Sequence, residues 1–324
     1  MIQFARHRLD LLSEMALGLA LAIALSALFA QSGGAQDAVG TLPAASLDWW
    51  QAFILGMVQG LTEFIPISST AHLKVVPVML GWGDPGVTFA ATIQLGSIGA
   101  VLWFFWQDIV DLTRGAIGAF RKGTYEVVEF RIAVGIALGT LPIVACGLLL
   151  KKLVPDLDNS PIRSLTAIAI ASIVMGILLG VGEKCGRRWR DFQQLSARDG
   201  VLMGLAQALA LMPGVSRSGA TITAGLFMGL ERATAARFSF LLGIPAITLA
   251  GLVQFKTDVL DASVSSNELW VLLVGTLSAA VFSYGAIAWL IGYLQQQSTW
   301  VFVWYRVIFG CLILGGVALN WLSN

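Results

Sequence analysis

Long apolar runs separated by short polar ones dominate the chain, and their lengths set the first expectation. A helix needs about 20 mostly apolar residues to cross a hydrocarbon layer of roughly 30 Å, because every backbone polar group must be satisfied within the segment. The runs 87–106, 132–150, 164–182, 238–255, 269–291 and 301–320 meet that requirement, each bounded by charge, Pro or Gly. They predict six full transmembrane helices. A shorter apolar run, 15–30, follows Arg6, His7 and Arg8 and precedes Gly33-Gly34-Ala35-Gln36. It reads as a signal-like segment or a short retained anchor helix. Residues 1–48 are therefore expected to form an N-terminal segment and linker ahead of a membrane domain, 49–320.

Two further apolar stretches, 49–80 and 199–230, are interrupted by polar knots containing Pro. The first breaks at Pro66-Ile67-Ser68-Ser69-Thr70-Ala71-His72 and the second at Pro213-Gly214-Val215-Ser216-Arg217-Ser218-Gly219. Broken helices inside a bilayer are tolerated only where the freed backbone is buried in protein or lines a wet cavity. Each stretch is thus expected to be a re-entrant helical hairpin with its tip at depth.

The two stretches also resemble each other. At an offset of 148, Gly56 meets Gly204, Gln59 meets Gln207, Leu61 meets Leu209, Ser68 meets Ser216 and Thr70 meets Ser218, and at a shorter offset Gly139-Thr140-Leu141 reappears as Gly275-Thr276-Leu277. The common order of these matches predicts two repeats, about 49–182 and 199–320. Three spans lie between the hairpins, so the hairpins open to opposite sides and the repeats are inverted. Basic residues set the orientation. The segments placed inside hold 13 Lys and Arg, against 5 in those placed outside. The fold class expected is an all-α polytopic membrane protein of six spans and two re-entrant hairpins in an inverted-topology repeat.

Composition agrees and narrows the partners. The 324 residues are 57% hydrophobic and 12% charged, against about one quarter charged in soluble domains. A net charge of +1 offers no field to recruit nucleic acid. Cys146, Cys185 and Cys311 lack paired spacing and read as free thiols.

Inverted folds place their functional site near the midplane, where discontinuous helices aim their termini at a ligand. Both knots should converge there, with helix N-termini after Pro66 and Pro213 favouring an anion. Glu63, His72 and Arg217 are the ionisable groups at the breaks, and such groups at membrane depth are functional candidates. A Glu63–Arg217 pair could be structural, and His72 could be an interfacial residue. Arg217, flanked by Ser216, Ser218 and Gly219, has the fork geometry that grips phosphate. A carboxylate beside that cradle suggests a bridging divalent cation or a general base, and a histidine can act as base or nucleophile.

The run Gln59-Gly60-Leu61-Thr62-Glu63-Phe64-Ile65-Pro66-Ile67-Ser68-Ser69-Thr70-Ala71-His72 and the run from Pro213 to Thr221 resemble the two signature motifs of the undecaprenyl-diphosphate phosphatase family, the bacitracin-resistance phosphatases. The resemblance covers about 49–320. It implies divalent-cation-dependent hydrolysis of undecaprenyl diphosphate to the monophosphate carrier lipid of peptidoglycan synthesis, in the bacterial inner membrane. The family's motif positions fall on Gln59, Glu63, Ser68, Ser69, His72 and Arg217. Gln59 stands where many members carry Glu, so it can ligate but not titrate. Ala71 stands where Gly is common, which argues against a positive φ there. The first 45 or so residues are not explained by the resemblance.

On this reading Arg217, Ser68, Thr70, Ser216, Ser218, Gly219 and local amides hold the diphosphate, while Glu63 and Gln59 hold Mg²⁺ or Ca²⁺. The catalytic set is Glu63, Ser69, His72 and Arg217. The attacking group is Ser69 activated by His72, His72 itself, or a water that His72 deprotonates. The membrane lipids and the lipid substrate are the partners, a homodimer is left open, and the site is expected to open to the periplasm. A lipid-phosphate flippase is the rival reading, since an inverted repeat is equally a transporter signature.

Overall fold

The structure is a computed structural model that describes residues 47–153, 160–255 and 266–322. The N-terminal signal-like or anchor segment lies outside the described residues. Among them are eleven α-helices and an isolated β-bridge between Arg190 and Leu230. The helices are α1 (Trp49–Phe64), α2 (Ser69–Met79), α3 (Val87–Phe104), α4 (Trp106–Lys122), α5 (Val128–Leu153), α6 (Leu165–Cys185), α7 (Ala197–Ala208), α8 (Arg217–Phe227), α9 (Arg232–Phe255), α10 (Ser266–Gln296) and α11 (Trp300–Ala318).

Five of the six expected spans appear as helices long and apolar enough to cross a membrane: α5, α6, α9, α10 and α11. The sixth, α3, passes only together with α4, from which it is bent by 63°. The stretch 107–131, expected as a polar connection, is therefore largely helical. Trp106 to Lys122 alternates apolar and charged positions at helical spacing, so it forms a helix with one wet face rather than an extension of the span. The architecture is that of a polytopic membrane protein.

Both interrupted stretches fold as pairs of helices, and local stereochemistry explains each break. The residue before a proline is disfavoured in helical backbone. Ile65 before Pro66 is accordingly extended (φ −66°, ψ 137°) and ends α1. Met212 before Pro213 is extended too (φ −83°, ψ 120°), after a short 3₁₀ turn at Leu209–Leu211. Each second arm then starts behind a serine with positive φ, Ser68 at 76° and Ser216 at 69°. Such backbone costs about 1–3 kcal/mol at a non-glycine residue and persists only where its surroundings enforce it. Ala71 lies inside α2 and is not among the positive-φ residues, as its side chain suggested.

The matched glycines of the two stretches make equivalent contacts, each in the opposite half. The first arm α1 packs on α10, where a Cβ on Gly56 would lie 2.8 Å from Ser278 Cβ. The first arm α7 packs on α5, where a Cβ on Gly204 would lie 2.6 Å from the Gly139 carbonyl carbon. Gly275 and Gly139 thus occupy equivalent places, as their shared Gly-Thr-Leu context suggested. Glycine is needed because the backbones touch. The second arms approach α6 from opposite ends: α2 places Val75 against Leu165 and Ala169, whereas α8 runs past Gly182 and Gly186. At that latter end, buried Glu183 accepts hydrogen bonds from Arg188, Arg232 and Thr299, tying together the ends of α6, α9 and α11.

Gly204→Ala should lower the thermal midpoint of the detergent-solubilised protein, because overpacking a tight contact costs about 1–3 kcal/mol. Gly99→Ala, where a Cβ meets nothing within 4 Å, should leave the midpoint unchanged or raise it. Equal effects in the two variants would contradict the close approach of α5 and α7.

Candidate active site

The hairpin tips meet. Arg217, the first residue of α8, directs Nη2 to Glu63 Oε1 at 3.3 Å, and Glu63 sits on the last turn of α1. Ser218 Oγ donates to the Ile65 carbonyl, also at 3.3 Å. Residues 154 positions apart are thereby brought into one site, as the convergence of the two knots required.

Glu63 is the centre of this cluster. Its Oε2 accepts from Ser69 Oγ at 2.6 Å and from Gln59 Nε2 at 3.1 Å, so one carboxylate joins both arms of the first hairpin to the tip of the second. Gln59 and Glu63 are one helical turn apart on α1, which puts both on the same face. The short Ser69–Glu63 contact orients the hydroxyl and offers its proton an acceptor.

Arg217 is held from three sides. Phe64 lies under its guanidinium at 5.9 Å, Glu63 takes one nitrogen, and α9 supplies Gly243. A Cβ on Gly243 would collide with Nη1, so only glycine leaves that nitrogen its place. Nε and Nη1 are buried and have no hydrogen-bond partner among the described residues. Buried donors left unpaired cost about 1–3 kcal/mol each, so a guanidinium held this way is suited to an anionic ligand that pairs them.

The remaining expected ligands are arranged in matching pairs. Ser68 Oγ lies 3.1 Å from Thr70 Oγ1, and Ser216 Oγ lies 3.2 Å from Ser218 Oγ. The Gly219 amide donates to Ser216 Oγ at 3.1 Å, so the Ser216 hydroxyl caps α8. Gly219 also leaves room for a neighbouring arginine, Arg306, since a Cβ there would lie 3.1 Å from Nη1. Thr70 is exposed, whereas Ser68, Ser69, Ser216 and Ser218 are buried.

His72 is engaged elsewhere. Nδ1 lies 2.7 Å from the Ser68 carbonyl and Nε2 lies 2.6 Å from Tyr305 Oη, while the ring stacks on Phe309 at 4.4 Å. The hydroxyl of Ser69 is bonded to Glu63, not to this imidazole. His72 therefore shares α2 with Ser69 but faces α11.

Arg306 escaped the sequence reading, although it is the single charged residue between 301 and 320. That was the available signal, because an ionisable group inside a span marks a site by default. Only 1% exposed, it donates from Nη1 to the Pro66 carbonyl at 3.0 Å. Nη2 donates to Gly214 and Val215 at 2.7 and 3.0 Å, and Nε to Ser172 at 3.1 Å. The carbonyls freed by both helix breaks are thus satisfied by one guanidinium. Tyr305 and Gly243 carried no comparable signal.

Among the described residues no cluster of three or more His, Cys, Asp or Glu is placed to hold a metal. One carboxylate and one amide oxygen nevertheless suit a hard cation that keeps waters and takes its other ligands from phosphate. With Nε2 of Gln59 turned to Glu63, the amide oxygen is left to ligate. The three cysteines are free and exposed.

Fold and site describe a polytopic membrane protein whose candidate site lies where two similar broken-helix pairs meet. A sequence profile of the family described as bacitracin resistance protein BacA matches residues 52–312, and the chain belongs to that family. An undecaprenyl-diphosphatase of Trichormus variabilis is 64% identical over 274 residues, 85% of each chain. One from Synechococcus elongatus is 60% identical over 278 residues, 86% of this chain and 96% of its own. One from Synechocystis is 55% identical over 325 residues, 97% of this chain and 98% of its own. That last match extends through most of the segment before residue 47, which is therefore shared with a relative.

Gly243→Ala should abolish most turnover while the protein still purifies as a monodisperse species, since only the Arg217 guanidinium is displaced. Arg306→Met should lower activity and the thermal midpoint together, because three to four buried carbonyls lose their donor at about 1–3 kcal/mol each. Wild-type stability in Arg306→Met would show that the tips are held by other contacts.

Proposed function

We propose that this protein hydrolyses undecaprenyl diphosphate to undecaprenyl phosphate and inorganic phosphate, regenerating the carrier lipid for peptidoglycan synthesis and conferring bacitracin resistance. The observation that carries this is the Ser69–Glu63 pair set against Arg217, whose Nε and Nη1 have no hydrogen-bond partner among the described residues. Membership of the family and its curated undecaprenyl-diphosphatases support it. A flippase gains nothing from a hydroxyl hydrogen-bonded to a buried carboxylate, and those relatives are named for hydrolysis.

In the proposed reaction Arg217 clamps the diphosphate by Nε and Nη1, with the hydroxyls of Ser68, Thr70, Ser216 and Ser218 near its remaining oxygens. Ser69 Oγ attacks the terminal phosphorus and gives its proton to Glu63. The bond from that phosphorus to the bridging oxygen breaks, and undecaprenyl phosphate departs. Water then cleaves the phosphoserine. Mg²⁺ or Ca²⁺ bound by Glu63 and Gln59 would offset charge on the leaving phosphate. His72, bonded to Tyr305 and to the backbone of strained Ser68, keeps the start of α2 in place rather than taking the Ser69 proton.

The reading places the protein in the bacterial inner membrane with the arginine-rich ends of α6 and α9 in the cytoplasm. The two tips are then re-entrant, the first hairpin opening to the periplasm. Approach of α2 and α8 along α6 from opposite ends supports that inverted arrangement.

Arg217→Lys should lose most activity, since a point charge cannot reproduce the fork. Near wild-type release of phosphate by that variant in detergent would remove the clamp. Rapid quench should trap phosphate on Ser69. Solvent oxygen-18 in first-turnover phosphate, with no phosphorylated intermediate, would instead assign the attack to water.

A further inference from the structure

Beside the tip of the second hairpin, α5, α6 and the segment 208–215 enclose a groove of about 560 Å³ whose lining is apolar throughout. Its volume falls within the roughly 300–1,000 Å³ of small-molecule sites. Ala171, Met175 and Val215 form its buried floor, in one cluster with Ala220 of α8. The outer parts, including Val174, Leu209 and Met212, are exposed on the surface that faces lipid in the proposed orientation.

We propose that this groove seats the first isoprene units of the substrate's polyprenyl chain. The proposal rests on the phosphatase reading and deepens it. Continuity with the site is the first argument. Val215 precedes Ser216 and Arg217, and its carbonyl is held by Arg306, so the floor is fixed to the same loop that starts the phosphate cradle. Ala220, in the same buried cluster as that floor, lies one turn beyond Arg217.

Depth is the second argument. The groove is bounded by Leu150 and Ile162, near the end of α5 and the start of α6, and reaches inward to Leu178. The arginines at 187, 188 and 190 follow the opposite end of α6. The groove therefore runs from the membrane face away from the basic end to just past the middle of α6, so it opens in the half in which a diphosphate presented from the periplasm keeps its chain. Chemistry is the third. A wall of branched and unbranched aliphatic side chains with no charged or amide group matches a hydrocarbon chain and excludes the headgroup, which must then lie at the polar tip. The volume admits only the proximal part of a long chain, leaving the rest in the bilayer.

The test uses the full chain in nanodiscs. Val174→Trp and Leu209→Trp fill the groove, and Val281→Trp places the same ring at an exposed position of α10 as a control. With undecaprenyl diphosphate the two groove variants should raise KM about tenfold with kcat little changed, the mark of lost binding that is uniform through the reaction. The control should match wild type. A prenyl diphosphate analogue with a photoreactive group in its first isoprene units should label peptides containing Cys146 and Ile170–Leu178, and excess undecaprenyl diphosphate should suppress that labelling. Groove variants kinetically identical to the control would overturn the proposal. So would labelling that substrate leaves unchanged, which would assign the groove to membrane phospholipid. Wild-type protein that releases no phosphate would instead sink the phosphatase reading, and the labelling would still decide the groove.

Discussion

A polypeptide can interrupt a helix at membrane depth only if the carbonyls and amides so released find partners inside the protein. Arg306 meets that condition for both breaks at once. Its planar fork reaches Pro66 on one side and Gly214 and Val215 on the other, while Nε is fixed by Ser172 of α6. Two loops from different halves are thereby locked to one rigid group. A buried guanidinium is itself costly, and among the described residues this one is bonded to carbonyls rather than to a carboxylate, so the arrangement exchanges desolvation of a charge for satisfaction of four backbone acceptors.

The candidate site is built on that latch. Once the tips are joined, α1 brings Glu63, α2 brings Ser69 and α8 brings Arg217 to within hydrogen-bond reach. The positive φ of Ser68 and Ser216 is strain held at the same two places, where each serine must turn the chain and start a helix within one residue. Glycines do the complementary work outside the site. Gly56, Gly204 and their partners Gly275 and Gly139 let first arms lie directly on long spans, which wedges the hairpins in place.

Buried polarity is distributed unevenly as a result. Glu63 accepts from three neighbours, whereas Nε and Nη1 of Arg217 have no hydrogen-bond partner among the described residues. A structural ion pair would be expected to satisfy both partners. The asymmetry suits a site for an oxyanion, with the guanidinium held beside a carboxylate that orients a hydroxyl.

Much of this was legible in the chain. Span length, the Pro-containing breaks and the Gly-Thr-Leu recurrence follow from local chemistry and bilayer thickness, which act on contiguous residues. Glu63, Ser69 and Arg217 stood out because ionisable and hydroxyl groups are rare in apolar sequence. What the chain could not specify was pairing across distance. His72 looked like the partner of Ser69 because they lie one turn apart on α2, yet its ring turns to Tyr305, 233 residues away. Arg306 was visible only as an isolated charge in a span, and Gly243 as one more small residue. Helix breaks are decided by the residues that form them; the side chain that completes a site is chosen by whichever surface the fold brings alongside.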